Sequence, residues 1–430
     1  MKLKRVVGLA IALCAAVSGQ AADQPLLFHV ESLGEDGVVA SQGADQSFNP
    51  ASVIKVATSV LALKTLGPEH KYITDFACRG PCTIDQGRLK GDLVIIGGGD
   101  PDFQAENTWL VARELSTLGI SKISGDLVVE GVFFQGWEHG VKGRETDVAL
   151  RARLMGGRFR QALDITRWDQ TLHATWEDAA PRHGWPLISK PGIIIDGAIR
   201  LGQGNDAANH LLVQHRSNPL VLTLKRFNTF SNNDIVRVAD PIGGPAAIEA
   251  MLNEIAGDLP GKIKISTASG EGVNRMTPRQ VTRLLRAFIG TCYEHNLILN
   301  DVLPIPGCVP GSLPLMFSRL AEGEYGRTAV VKSGTLTTTD GGVAVLAGFI
   351  LPFSSGEMMA FCVGAPKAGG QIKRMRLKEQ DWLLDLMDSV GGVYHRLCGT
   401  PLAFSDTMAD ARVTLQSGTD TNNGESNAAK

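Results

Sequence analysis

The spacing of apolar residues divides the first half of the chain into three stretches. Residues 28–39 alternate loosely between apolar and polar positions, which predicts a β-strand. Residues 49–66 begin with Asn49-Pro50, a polar residue followed by proline, and continue with apolar residues that predict a helix ending at Gly67-Pro68. From residue 72 to about 212, short apolar runs are broken by Gly, Pro and Asp. This pattern of short apolar runs predicts a mainly β segment with a less regular part at 144–168.

The second half of the chain combines helices with long apolar strands. Helical spacing of apolar residues is found over 244–255, 277–293 and from 379 to 387 and onward. Two apolar runs, 328–331 and 343–353, are connected through Asp340-Gly341-Gly342, which is typical of a hairpin, and 358–363 predicts a third adjacent strand. The last helix is expected to pack on this sheet.

The two ends of the chain differ from the rest in composition. A basic start, Met1 to Arg5, precedes an apolar run that ends in Gly19-Gln20-Ala21, which predicts a cleaved secretory signal peptide over residues 1–22. A buried N-terminal helix is the alternative interpretation. Residues 414–430 are polar and predict a disordered tail. We therefore expect export to the periplasm without a stable membrane anchor.

Composition narrows the class of protein only slightly. The 430 residues are enough for two or three domains, and 43% hydrophobic with 20% charged residues is ordinary for a globular protein. The net charge of −2 gives no electrostatic reason to expect binding to nucleic acid or anionic lipid.

Cysteine usage agrees with an exported protein. Without Cys14 in the predicted signal, six cysteines remain, which permits three disulfides in an oxidising compartment. Cys78 and Cys82, close together in a Gly-Pro loop, are the favoured pair. No clustered Cys or His spacing supports a zinc site, so we predict neither a metal nor a cofactor.

The first motif with chemical meaning is Ser52-Val53-Ile54-Lys55, at the predicted start of the first helix. Residues three apart share a helix face, so the lysine can act as the base that activates the serine hydroxyl. This requires a lysine pKa well below its usual value. A solvated helix face is the default interpretation of the motif taken alone.

Two further motifs follow in a fixed order. Ser231-Asn232-Asn233 offers a hydroxyl for proton relay and an amide for orienting a peptide backbone, although it is also typical of a simple loop. Lys332-Ser333-Gly334-Thr335 directly follows an apolar strand and offers a lysine to a substrate carboxylate. The glycine permits close approach of a ligand to the strand.

These three motifs, in this order, are found in β-lactamases and penicillin-binding proteins. The chain resembles the class C low-molecular-mass penicillin-binding proteins, the D-Ala-D-Ala carboxypeptidase/endopeptidase family. Further segments that carry the resemblance are Leu66-Gly67-Pro68, Gly91-Asp92-Leu93, Gly98-Gly99-Asp100-Pro101, Ser217-Asn218-Pro219-Leu220 and Ser269-Gly270.

The resemblance implies an α+β fold of the penicillin-binding and serine β-lactamase type, an antiparallel sheet packed with helices. A mainly β domain is expected as an insertion between the first and second motifs. The predicted division is a catalytic domain over 23–75 and 213–413, with the inserted domain over 76–212.

The resemblance also implies roles for the motif residues. Ser52 is the expected nucleophile, Lys55 its general base and Ser231 the proton relay. The expected substrate-binding residues are Asn233, Lys332, Ser333, Gly334 and Thr335, and the backbone N–H groups of Ser52 and Thr335 are expected to form an oxyanion hole.

The implied activity is that of a serine D-Ala-D-Ala carboxypeptidase or endopeptidase on peptidoglycan stem peptides. β-Lactams are the implied covalent inhibitors, and a homodimer is left open. One departure concerns the segment after Ser269-Gly270, which lacks the family's arginine, with Arg275 two residues beyond its place. A serine β-lactamase is one alternative. Such an enzyme needs a base for deacylation, typically a glutamate near the site, and no motif supplies one. A non-catalytic periplasmic peptidoglycan-binding scaffold is the other.

Overall fold

The computed structural model of the chain describes residues 25–34, 37–204, 209–308, 311–398 and 411–413. The predicted signal peptide and the predicted tail at 414–430 lie outside the described residues. Strands and helices are numbered in chain order. The strands are β1 Leu27–Ser32, β2 Val38–Gln42, β3 Ile73–Asp85, β4 Arg88–Gly98, β5 Lys122–Ile123, β6 Leu127–Val132, β7 Ile194–Ile195, β8 Ile199–Leu201, β9 Asn209–Arg216, β10 Ala329–Leu336, β11 Val343–Ile350, β12 Met359–Pro366 and β13 Ala411–Val413. The helices are α1 Ile54–Leu66, α2 Ala105–Thr117, α3 Val148–Leu163, α4 Gln170–Arg182, α5 Leu220–Thr229, α6 Val236–Ala239, α7 Gly244–Ala256, α8 Pro278–Glu294, α9 Ser312–Met316, α10 Ser318–Ala321 and α11 Ile372–Ser389.

The first sheet has five strands in the order β10-β11-β12-β1-β2, all neighbours being antiparallel. The predicted hairpin is present as β10 and β11, and the predicted third strand is β12. Every residue of β11 is buried, because helices cover both faces of the sheet. Such double coverage explains why β11 reads as a continuous apolar run and does not alternate.

One layer of helices on this sheet contains α1, α7 and α8, and the other contains α11. Val56, Val60 and Leu284 share one core with the inner strands. Leu383 and Met387 of α11 share another with Leu346 and other residues of the opposite face. Helix α8 begins with a capping box in which Thr277 and Gln280 satisfy each other's backbone N–H groups. These layers cover the first sheet on both faces, and its strand β10 carries the third motif.

The first helix begins differently from the prediction. A 3₁₀ turn at Ala51–Val53 precedes α1, and Asn49 accepts a hydrogen bond from the backbone N–H of Ala51. Ala51 has a φ of 47°, a left-handed conformation that alanine rarely adopts. The predicted end is confirmed, since α1 stops at Leu66 before Gly67. The turn sets the orientation of Ser52 before the helix starts.

The second sheet lies between the first and second motifs in sequence. Its main path is β13-β9-β3-β4-β5-β7, with β6 pairing with β4 and β8. Helices α2, α3 and α4 accompany it, so the expectation of a mainly β insertion was wrong in that respect. Helix α3 occupies most of the stretch expected to be irregular. Its buried Met155, Phe159 and Leu163 keep helical spacing, but Gly156-Gly157 and several arginines interrupt the apolar pattern.

The strand bounds bear on the predicted domain division, which stays a proposal. Strand β3 starts at Ile73 and β9 ends at Arg216, both slightly outside 76–212. Strand β13 pairs antiparallel with β9 in the second sheet, although the prediction assigns 411–413 to the catalytic domain. We therefore propose that the inserted domain covers 73–216 and is completed by β13.

Two disulfides are present among the described cysteines. Cys78 bonds to Cys82, as the sequence favours, and Cys308 bonds to Cys398. Cys292 and Cys362 are buried thiols, so the third permitted disulfide does not form between them.

Within the described ranges, none of the helices has both the length and the apolar character needed to cross a bilayer.

Candidate active site

Ser52 and Lys55 are brought together where the 3₁₀ turn passes into α1. The Nζ atom of Lys55 lies 2.8 Å from Ser52 Oγ. Lys55 has no exposed surface, although lysine is almost never fully buried without partners. The geometry therefore joins a partly exposed hydroxyl to an amine that is shielded from bulk water.

Two carbonyl-type oxygens complete the surroundings of the Lys55 amine. Nζ lies 2.8 Å from Asn233 Oδ1 and 2.7 Å from the backbone oxygen of Ser269. Burial lowers the pKa of Lys55 to about 7, and the negative charge of Glu271 opposes this shift. Ser269 belongs to a segment that the sequence associated with the family, but its carbonyl was not predicted as part of the site.

The neutral form of Lys55 has only one way to satisfy these three contacts. A neutral amine has two N–H donors and one lone pair, while Asn233 Oδ1 and the Ser269 carbonyl can only accept. Both N–H groups are used by these oxygens, so the lone pair faces Ser52 Oγ and the serine hydroxyl donates to it. This is the arrangement required for the lysine to remove the serine proton.

The second motif forms a tight turn between α5 and α6. Ser231 has a φ of 50°, and Asn232 Oδ1 accepts a hydrogen bond of 2.8 Å from the backbone N–H of Asp234. The turn directs Ser231 to Lys332 and Asn233 to Lys55. The middle residue of the motif therefore shapes the turn, and its two neighbours contact the two lysines.

The third motif lies on β10, and its lysine is also buried. Lys332 Nζ is 2.8 Å from Ser231 Oγ and 2.8 Å from the backbone oxygen of Ser333. Burial, with the positive charges of Lys55 and Arg376, lowers the pKa of Lys332 well below its usual value. A substrate carboxylate placed against Lys332 would reverse this effect, because an opposite charge favours the ammonium form.

Two glycines allow the backbone around Ser52 to be enclosed on both sides. A Cβ atom on Gly334 would lie 2.7 Å from the Pro50 oxygen and 2.9 Å from the Ser52 nitrogen. A Cβ atom on Gly270 would lie 1.9 Å from the Ala51 oxygen and 2.8 Å from the Ser52 nitrogen. Gly270 has a φ of 86°, which also favours glycine. The backbone of Ser52 is thus held between β10 and the loop that follows Ser269.

Arg376 of α11 forms hydrogen bonds with the C-terminal end of β10. Its guanidinium donates to the Gly334 carbonyl and to Thr335 Oγ1, and to the Val345 carbonyl over 2.9 Å. Glu379 accepts from the same guanidinium over 2.7 Å, and both side chains are buried. Burial raises the pKa of Glu379 to about 7, although Arg376 opposes the shift. Sequence reasoning missed this pair, because nothing in α11 marks which polar residues face inward.

The inserted segment also contacts the site directly. Asp234 accepts hydrogen bonds of 2.7 Å from the backbone N–H groups of Glu138 and Gly140. Arg237 donates to Glu138 over 2.8 Å, and a Cβ atom on Gly140 would lie 2.6 Å from Asn233 Cβ. Residues 136–140, here called the inserted loop, therefore form one wall of the site.

The described residues contain no group of three or more His, Cys, Asp or Glu that could hold a metal ion.

Arg275, the residue nearest to the missing family arginine, is engaged elsewhere. Its guanidinium forms a two-point ion pair with Asp340, at 2.6 and 2.9 Å, beside the β10–β11 connection. The structure therefore pairs Arg275 with the hairpin, and among the described residues it forms no hydrogen bond or ion pair with the motif residues.

The chain belongs to the D-Ala-D-Ala carboxypeptidase 3 (S13) family. The family model matches residues 13–149 and 187–378, which is more than half of the chain and includes all three motifs. This assignment agrees with the resemblance that the motifs indicate.

Individual relatives of low sequence identity are also named as carboxypeptidases. The D-alanyl-D-alanine carboxypeptidase DacB of Haemophilus influenzae is 29% identical over 114 residues, covering 26% of this chain and 23% of the relative. The D-alanyl-D-alanine carboxypeptidase of an Actinomadura strain is 31% identical over 94 residues, covering 22% and 17%. The chain thus aligns with less than a quarter of the length of either. Carboxypeptidase DacB of Mycolicibacterium smegmatis is 26% identical over 398 residues, covering 84% of this chain and 80% of the relative.

Solved structures establish the fold. The predatory peptidoglycan endopeptidase Bd3459 of Bdellovibrio bacteriovorus superposes with a TM-score of 0.69 at 19% identity, covering 89% of this chain and 98% of that one. Penicillin binding protein 4 (dacB) of Haemophilus influenzae gives 0.59 at 20% identity, covering 84% and 96%. The α+β penicillin-binding fold expected from the sequence is confirmed.

Proposed function

We propose that this protein is a serine D-Ala-D-Ala carboxypeptidase or endopeptidase that acts on peptidoglycan stem peptides through an acyl-enzyme. The observation that carries the proposal is the buried Lys55 amine, whose lone pair in the neutral form faces Ser52 Oγ. A hydroxyl next to such a base is an activated nucleophile for acyl transfer.

In the acylation step, Lys55 accepts the proton of Ser52 as Oγ attacks the carbonyl of the penultimate D-Ala. The backbone N–H groups of Ser52 and Thr335 stabilise the resulting oxyanion. Their closeness is supported by Gly334, where even a Cβ atom would crowd the Ser52 nitrogen. The bond to the terminal residue then breaks, and the acyl group stays on Ser52 Oγ.

The remaining motif residues hold the substrate and move the proton. Asn233 binds the peptide backbone, and Lys332 binds the terminal carboxylate together with Ser333 and Thr335. Ser231 accepts from Lys332 over 2.8 Å, and the lysine in turn faces the carboxylate end of the substrate. This contact supports a role for Ser231 in passing a proton to the departing amine.

The same route serves carboxypeptidase and endopeptidase activity, because the two differ only in the amine that leaves. The relatives include proteins named as carboxypeptidases and one named as a peptidoglycan endopeptidase, which supports both. A further structure of Bd3459 is described as acylated by penicillin G, which supports β-lactams as covalent inhibitors here. We place the enzyme in the periplasm on the basis of the predicted signal peptide.

The test is release of D-Ala from a synthetic pentapeptide that ends in D-Ala-D-Ala, with crosslinked dimer peptides assayed in parallel. We expect hydrolysis by the mature protein and none by Ser52→Ala. Ser116→Ala, an exposed serine on α2, is the control and should keep full activity. Failure of the folded protein to cleave either peptide would contradict the proposal.

A further inference from the structure

A groove with apolar walls lies at the C-terminal end of α8. Its volume is about 470 Å³, which is within the usual range of small-molecule sites, about 300–1,000 Å³. The end of α8 and the turn after it form one side, and the start of β10 and the segment 395–397 form others. The apolar side chains that line it include Ile289, Tyr293, Leu297, Val330, Met358 and Leu397. None of the motif residues lines this groove, so it is separate from the proposed active site.

Several large apolar side chains of the groove are exposed to solvent. The exposed fraction is 85% for Tyr293, 62% for Ile298 and 91% for Leu397, and all three line the groove. Single exposed apolar residues are common on protein surfaces, whereas a contiguous group of them typically marks a binding site. A ligand with an apolar body would cover part of this surface and would be stabilised by the hydrophobic effect.

An arginine lines the same groove, and its charge is not compensated there. Arg396 is partly buried, and its Nε and Nη2 atoms are shielded from solvent without a hydrogen-bond partner among the described residues. Burial lowers the pKa of this guanidinium below its usual value. No acidic residue is among the described residues that line the groove. An unpaired cation in such surroundings is unfavourable, and an anion beside it would offset that cost.

The backbone around Arg396 is anchored, although its guanidinium is not. The backbone N–H of Arg396 donates to the Arg327 carbonyl over 2.6 Å. Two residues further along the chain, Cys398 forms a disulfide with Cys308. The arginine therefore stays at the wall of the groove, while its side chain can rotate to meet a ligand. Such changes of rotamer are common when a ligand binds.

We propose that this groove binds an aliphatic carboxylate, such as a medium-chain fatty acid, whose carboxylate pairs with Arg396. The chain of the ligand lies against the apolar side chains at the end of α8. A guanidinium binds a carboxylate through two parallel hydrogen bonds, and Nε and Nη2 are suited to this pairing. A peptide fits the groove less well, because its backbone N–H and C=O groups would need polar partners that apolar walls do not offer. The proposal does not depend on the acyl-enzyme chemistry at Ser52.

The experiment compares two ligands that have the same chain and differ in charge. The mature protein is titrated by calorimetry with decanoate, below its micelle concentration, and with decanamide, which is neutral. We expect decanoate to bind at one site and decanamide to bind at least about tenfold more weakly, because only the carboxylate forms charge-assisted hydrogen bonds. Decanoate should also raise the melting temperature of the protein, since it binds the folded state.

Arg396→Met should remove the preference for the charged ligand. We expect its affinity for decanoate to fall by about tenfold or more, while its affinity for decanamide changes less than about threefold. Since the guanidinium lacks a partner in the free protein, this variant should melt at a temperature no lower than that of the parent protein. Ile298→Glu places a negative charge at the exposed rim and should weaken decanoate more than decanamide. Arg153→Met, an exposed arginine of α3, is the control and should leave both affinities unchanged.

Three outcomes would overturn the proposal. Equal affinities of the parent protein for the two ligands would show that the groove does not recognise a carboxylate. An unchanged affinity of folded Arg396→Met for decanoate would show that another cation binds it. If Lys332→Met then lost decanoate binding, the ligand would lie in the proposed active site instead. Failure of decanoate to bind the folded parent protein at all would remove the site, and would leave the proposed peptidase activity untouched.

Discussion

The Lys55 amine lies 2.8 Å from Asn233 Oδ1, a residue that is 178 positions away in the chain. This amide oxygen and the Ser269 carbonyl accept from both N–H groups of the neutral amine. The lone pair of the amine is then left to accept a hydrogen bond from the Ser52 hydroxyl. The second motif thus orients the amine that we propose as the base of the first one. Several consequences of this arrangement can be measured.

The rate of acylation should follow the titration of Lys55. Only the neutral amine can accept the Ser52 proton, and burial lowers the pKa of Lys55 to about 7. We therefore expect the second-order rate constant for acylation by penicillin to rise with pH, with its midpoint near 7, and to level off above it. Stopped-flow measurements between pH 5.5 and 9.5, with melting temperatures recorded at each pH, check this. A midpoint near 10 would mean that Lys55 titrates like an exposed lysine.

Gly270→Ala should abolish acylation while leaving most of the molecule folded. The new Cβ atom would lie 1.9 Å from the Ala51 oxygen, so the turn that carries Ser52 must move. Gly184→Ala is the matched control, since its φ is also positive, 64°, but nothing lies within 4 Å of the new atom. We expect the control to lose about 1 kcal/mol of stability and no activity. Equal acylation rates in the two variants would show that the contact with Ala51 is unimportant.

Arg376→Met should destabilise the protein strongly and disturb the end of β10. It removes the donors to Gly334 and Thr335 and leaves Glu379 buried without its cation. Breaking a buried ion pair typically costs about 3–5 kcal/mol, which urea unfolding would measure. Adding Glu379→Leu to this variant should recover part of the loss.

The control for this pair is Arg319→Met, which removes an exposed ion pair between Arg319 of α10 and Asp381 of α11. Such a pair is usually worth less than about 1 kcal/mol. Similar free energies of unfolding for the two arginine variants would contradict a supporting role of Arg376.

Arg237→Met should weaken the attachment of the inserted loop to the second motif. Arg237 and Glu138 are both almost completely buried, and Arg237 also donates to the Pro101 and Gly136 carbonyls. We expect a loss of about 3–5 kcal/mol in urea unfolding, with slower acylation by penicillin, because the loop lies against Asn233.

Arg144→Met provides the comparison for the inserted loop. Arg144 pairs with Asp240 and so also joins the inserted segment to the second-motif region, but at the surface. Its loss should leave acylation unchanged and cost less than about 1 kcal/mol. If the two substitutions slow acylation to the same extent, the buried contacts of Arg237 have no special role.

The sequence predicts the motifs and the strands that carry them, because the chemistry is encoded locally. Ser52 and Lys55 are three residues apart, and Lys332 ends an apolar run. The hairpin of β10 and β11 follows from its two apolar runs and the Asp-Gly-Gly connection. These features depend on neighbours in the chain, which a pattern can reveal.

Long-range contacts could not be predicted in the same way. The Ser269 carbonyl is a backbone group, and its use by Lys55 depends on how the loop at 269–274 folds over α1. Glu271 is one acidic residue among many, and Arg376 lies in a helix rich in charged residues. Helix α3 was missed because arginines and two glycines interrupt its apolar face. Tertiary packing decides the role of each of these residues.

Covalent labelling of Ser52 by a fluorescent penicillin tests the central claim most directly. The parent protein and Ser52→Ala would be incubated with the label, quenched in acid, and analysed by denaturing gel and intact mass. The account predicts one equivalent of label on the parent protein, located by peptide mapping at Ser52, and none on the variant. Label that persists on Ser52→Ala, or no label on a folded parent protein, would contradict it.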